Sequence, residues 1–132
     1  MSSLKPGRRW PIYPVRALCV LLVALVLTQA ALAGGFISGN VRLLGLHSAN
    51  AILVFLVTTA LVPCTILLLT AGRGPWWPVP VSIGLWMLVV TQLGLGYARV
   101  VSGHIPLGVS ILGLLAGLTV WSFRYRPKWI SS

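Results

Sequence analysis

"TQLGLGYARVVSGHIPLGV", residues Thr91 to Val109, sets Gln92, Arg99 and His104 in an otherwise apolar segment. The chain contains only two glutamines and two histidines, and the other pair lies in the first half. There "TQAALAG" (28–34) is followed by Arg42 and His47. Thr-Gln recurs, and an arginine precedes a histidine by five residues in both halves. The stretch between glutamine and histidine is longer by six residues in the first half. One Gln and one His per half, in the same order, predicts a duplicated two-helix unit.

Four apolar spans surround these residues, at 17–37, 47–71, 79–98 and 104–123. Each is about 20 residues, enough to cross a hydrocarbon core of about 30 Å. Backbone groups in lipid must pair internally, so the spans are expected to be helices. The connections "GGFISGN", "GRGPWWPVP" and "VVSG" carry turn residues. The last is so short that the third and fourth spans must be antiparallel neighbours. The expected fold class is all-α, a four-transmembrane-helix antiparallel bundle, in a single membrane domain over 1–132.

Composition agrees. Of the 132 residues 58% are hydrophobic, and Lys and Arg total 10 with no Asp or Glu. The missing carboxylates exclude carboxylate acid–base pairs, Asp-based triads, hard-cation sites and a proton-coupled pump built on a membrane glutamate. The cations sit in short flanks between apolar spans, which reads as topology and not as a nucleic-acid-binding face. Lys5, Arg8, Arg9, Arg16, Arg73, Arg124, Arg126 and Lys128 fall on one side, Arg42 and Arg99 on the other. By the positive-inside rule, segment 1–16, the 124–132 tail and hence both termini are expected in the cytoplasm, with the protein in the plasma (inner) membrane. Trp10, Tyr13, Trp76, Trp77, Tyr125 and Trp129 gather on that inner side, as an interfacial aromatic belt would. "ALA" at 31–33 after a basic flank and an apolar run also fits a cleavable signal peptide; the repeat favours span one as a functional part. Cys19 and Cys64 fit neither a disulfide framework nor a zinc motif and read as small packing residues.

The second and fourth spans run in the same direction, so His47 and His104 are expected at one membrane level, facing each other across the core. An ionisable side chain in a span is a functional candidate with a partner to name. Zinc wants three or four ligands, and no third lies at that level. A b-type haem needs two axial imidazoles, with cations for its propionates. Arg42 and Arg99 supply guanidinium groups suited to bidentate carboxylate pairing. Gly34, Gly35, Gly39 and Gly45 in one half, and Gly94, Gly96, Gly103 and Gly108 in the other, offer room for a flat macrocycle. Gln29 and Gln92 lie deeper and are expected to hydrogen-bond a histidine, a water or a quinone headgroup, or to act as interhelical glue, and Asn50, one turn beyond His47, is a candidate to orient a ring nitrogen. Pro63 and Pro106 are expected to kink or start helices, and Trp86 to pack.

"TQLGLG" followed by "VVSGH" and a further span resembles one four-helix half of the heme A synthase family, over about 17–123. The layout is also similar to small four-span bacterial membrane proteins of unknown function. The resemblance implies a histidine pair at His47 and His104 on the second and fourth helices, able to hold haem b. The family's catalytic half carries a carboxylate just before its first histidine and an arginine after it; "RLLGLHSAN" has neither, so no independent catalytic activity is expected. The expectation is a haem b protein for electron transfer, haem binding or sensing, with a membrane redox partner or quinone, alone or in a homo- or hetero-oligomer. A cofactor-free accessory subunit of a membrane complex is the alternative.

Overall fold

The computed structural model describes residues 8–126; Lys5, Lys128 and Trp129 lie outside the described residues. Among these, the regular structure is four α-helices: α1 (Ile12–Ile37), α2 (Leu43–Thr70), α3 (Pro78–Tyr97) and α4 (Val101–Arg124). All four are long and apolar enough to cross a membrane, as expected for a multi-pass membrane protein. α1 and α3 each pack against α2 and α4, while the diagonal pairs make no close backbone approach, so the helices close a square bundle. The helices overrun the apolar windows. α2 starts at Leu43 and α4 at Val101, so each histidine lies about one turn inside its helix and does not open it. Helical hydrogen bonding continues into flanks whose polarity ends a hydropathy window.

A 3.5-residue repeat of buried positions explains the packing. α1 buries Ile12, Val15, Cys19 and Leu22; α3 buries Pro78, Ser82, Leu85 and Val89. α2 buries Asn50, Val54, Thr58, Leu61, Thr65 and Leu68; α4 buries Ile111, Leu115, Leu118 and Ser122. Counted from the histidine, the α4 set recurs on α2 at offsets of seven, eleven, fourteen and eighteen residues. Counted back from the glutamine, Leu22, Cys19 and Val15 on α1 match Leu85, Ser82 and Pro78 on α3. The duplication read from four polar residues therefore extends through the core. Opposite faces carry apolar groups to lipid, among them Val20, Leu27, Leu53, Leu56, Met87 and Val120.

Buried hydroxyls are satisfied without water. Thr58 donates to Val54 O, and Thr65 shares a 2.8 Å bond with Ser82 across α2 and α3. Pro63 and Pro106 both sit inside continuous helices.

Two devices shape the ends. At the end where α1 starts and α4 stops, Arg16 donates from Nε to Ser122 O (2.9 Å) and from Nη2 to Tyr125 O (3.1 Å), satisfying carbonyls that α4 leaves open. Trp77, Trp121 and Tyr125 pack in series beside it, at centroid separations of 4.4 and 5.2 Å. Arg16→Met keeps the apolar stem and removes both charged hydrogen bonds. It is expected to lower stability by about 2 kcal/mol in equilibrium unfolding in detergent; an unchanged midpoint would remove Arg16 from the account.

At the histidine end, α1 and α3 stop in the same way. Gly39 (φ 106°) donates to Phe36 O and Asn40 to Gly35 O; Arg99 (φ 58°) donates to Gly96 O and Val100 to Leu95 O. The left-handed residue is glycine in one half and Arg99 in the other.

Candidate functional site

Gln29, His47, Gln92 and His104 continue the core seams of their four helices past the last buried layer. Each glutamine clasps a histidine reciprocally. Gln29 Nε2 donates to His47 O (3.0 Å) while His47 Nδ1 lies 3.1 Å from Gln29 O. Gln92 Nε2 donates to His104 O (2.8 Å) while His104 Nδ1 lies 3.0 Å from Gln92 O. A carbonyl oxygen only accepts, so Nδ1 carries the proton on both rings. This leaves Nε2 as the nitrogen open to a ligand; a metal ion takes it from the unprotonated form, with the other nitrogen already oriented by a backbone carbonyl. The rings come from diagonally opposed helices and stand 6.2 Å apart between centroids, tilted by 54°.

Both rings border a cavity of about 350 Å³. Val26, Val54, Val89 and Ile111, one from each helix, form its inner end, and Gln29 and Gln92 face it at the level of the rings. The volume falls within the ~300–1,000 Å³ common for small-molecule sites, with apolar walls and few polar groups.

The glycines divide by role. Gly34 and Gly108 line the cavity. A Cβ on Gly96 would lie 3.1 Å from His104 Cε1, and one on Gly108 would lie 3.0 Å from Gln92 Nε2, so these two permit the second clasp. Gly39, Gly45 and Gly94 face open space, and Gly35 and Gly103 pack against leucines.

Asn50 acts one step back from the ring. Its Nδ2 donates to Gln29 Oε1 and to Leu25 O (2.9 Å), holding Gln29 in place. It does not orient an imidazole nitrogen as the sequence spacing suggested, because three residues along α2 carry its amide to the glutamine on α1. Leu107 occupies the corresponding position on α4, and Gln92 Oε1 is buried without a hydrogen-bond partner. Asn50→Leu is expected to cost about 1–3 kcal/mol in detergent unfolding, by orphaning Gln29 Oε1. Leu107→Asn is expected to gain ~1 kcal/mol by supplying Gln92 with the missing donor. Equal effects of the two changes, in size and sign, would contradict this assignment.

Arg42 and Arg99 stand at the histidine end, exposed and outside the cavity lining. Their equal spacing from a histidine hides unequal geometry: Arg42 is the right-handed residue preceding α2, and Arg99 the left-handed residue of the α3–α4 turn. With no Asp or Glu in the chain, neither has a side-chain carboxylate to pair with. Cys19 is buried near the opposite end, Cys64 is half-buried, and both are free. Trp86 packs against Phe55 and donates from Nε1 to Thr59 Oγ1 (3.0 Å). Among the described residues no group of three or more His, Cys, Asp or Glu could hold a metal ion, so a metal taken by His47 and His104 would bring its remaining ligands with it. No family model, curated protein or solved structure matches the chain.

Proposed function

We propose that this chain is an integral membrane haem b protein, with His47 and His104 as the two axial ligands and Arg42 and Arg99 as cations for the propionates. One observation carries the reading: two imidazoles, each with Nδ1 held by a glutamine backbone carbonyl, border one apolar cavity with their centroids 6.2 Å apart. A metal ion held by both imidazoles, at about 2.0 Å from each nitrogen, would be compatible with rings spaced at about 6 Å. His47 and His104 would hold the iron, and the macrocycle would supply its remaining ligands, since the cavity lining offers no other ligating side chain. The sequence resemblance to one half of a heme A synthase points to the same pair of residues.

When bound, the haem supplies one-electron chemistry or serves as a sensed or carried ligand. The chain's own contribution is to fix the ring tautomers, to wall the site with Val26, Val54, Val89 and Ile111, and to carry two guanidinium groups at the same end of the bundle. The charge asymmetry supports a plasma-membrane orientation with both termini in the cytoplasm and the site near the outer face. A single site near one face does not span about 30 Å of hydrocarbon, so transmembrane electron flow would need a quinol or a redox partner.

The ferric protein is expected to give the low-spin electron paramagnetic resonance signal of bis-imidazole haem; a high-spin signal alone would contradict the ligand pair. Arg99→Gly separates strain from binding. Relief of the left-handed residue is expected to raise apo-protein stability by about 1 kcal/mol, while hemin affinity falls several-fold. Unchanged affinity would take Arg99 out of the propionate role.

A cofactor-free accessory subunit remains the second reading, because the same glutamine bonds tie α1 to α2 and α3 to α4 without any ligand. A colourless, fully folded protein would favour it.

A further inference from the structure

The pseudo-symmetry that builds the site is broken in one place, at its walls. Relative to the glutamines, Ala30 and Gly34 on α1 correspond to Leu93 and Tyr97 on α3. Relative to the histidines, Ile105, Val109 and Leu112 on α4 correspond to Ser48, Ile52 and Phe55 on α2. All five residues on the α1 and α4 side border the cavity; of their five counterparts only Leu93 does. Ile105 and Val109 are also 52% and 66% exposed, and Ala30 and Gly34 are exposed too. Residues that face the cavity and the surroundings together mark an opening, which lies between α1 and α4.

The smaller side chain is on the α1–α4 side in four of the five pairs; Ile105 is larger than Ser48. On the α2–α3 seam Phe55 packs on Trp86 at 6.1 Å, and Trp86 is pinned to Thr59. The α1–α4 counterparts of Trp86 and Thr59 are Val23 and Ala116, which supply neither the ring nor the hydroxyl. The opening is flanked by Ala, Gly, Ile, Val and Leu within membrane-crossing helices. It offers no group to replace the hydration of a polar solute and suits an apolar one already dissolved in lipid.

We infer that the site exchanges its macrocycle with the bilayer sideways, through the opening between α1 and α4, and that Ala30 and Gly34 set its width. This rests on the haem reading. It makes the bound macrocycle an exchangeable ligand drawn from the lipid phase.

The test uses the full chain, haem-free, in phosphatidylcholine vesicles with hemin in the lipid. Uptake is followed by the bis-histidine spectrum, and release by transfer to apomyoglobin. Gly34→Phe narrows the opening without a backbone clash, since a Cβ there meets nothing within 4 Å. Ala30→Phe repeats the test one turn inward should the first variant fold poorly. Ile52→Phe is the mirror control, as Ile52 does not border the cavity. The expected result is uptake and release both slowed about tenfold or more in the α1 variants, which is ~1.4 kcal/mol on each barrier, with the Ile52→Phe rates unchanged. Unchanged rates in both α1 variants, or faster release from them, would overturn the lateral route and leave the haem reading standing. Wild-type protein that binds no hemin would remove both.

Discussion

The double variant His47→Ala/His104→Ala is expected to lose haem entirely, with hemin affinity down at least a hundredfold, about 2.8 kcal/mol. The cavity contains no other metal-ligating side chain, so nothing replaces the imidazoles. Each single variant is expected to keep one ligand and to give a five-coordinate, high-spin spectrum in place of the six-coordinate one. Added imidazole, which fits the space left by a deleted ring, should restore the low-spin form in the singles. Helicity should hold in all three, because the fully buried leucines Leu22, Leu61, Leu85 and Leu115 do not border the cavity. Wild-type hemin binding by the double variant would end the bis-histidine account.

Gly108→Leu is expected to have the next largest effect. The first added carbon would stand 3.0 Å from Gln92 Nε2, and the rest of the side chain would enter the cavity. Gln92 must then leave His104 O, and the clasp on that ring opens. Loss of the bond and overpacking are each worth about 1–3 kcal/mol, so hemin binding should fall by at least tenfold and the unfolding midpoint should drop. Gly113→Leu on the same helix meets nothing within 4 Å and should alter neither property. Equal behaviour of the two variants would mean that the space around Gln92 is not constrained.

The bundle was legible because apolar length is a strong signal, and the Gln–His pairing because each residue type occurs only twice. Their partners were not legible. The clasps run from side chains to backbone carbonyls, and a carbonyl has no letter in the sequence. Asn50 could be placed one turn from His47, but its reach to Gln29 depends on how α1 lies against α2. The turn at Arg99 was not legible, because helix stops usually announce themselves with glycine, as at Gly39, and here an arginine takes the left-handed position. The lateral opening needed the register of all four helices, since it shows only when Ala30 is set against Leu93 and Leu112 against Phe55.

The most direct test of the haem reading is a dithionite-reduced minus oxidised visible spectrum of the detergent-purified protein, expressed with ample haem, together with a haem-to-chain ratio. The expected result is a sharp six-coordinate b-type spectrum at close to one haem per chain. A blank spectrum from well-folded protein would contradict it.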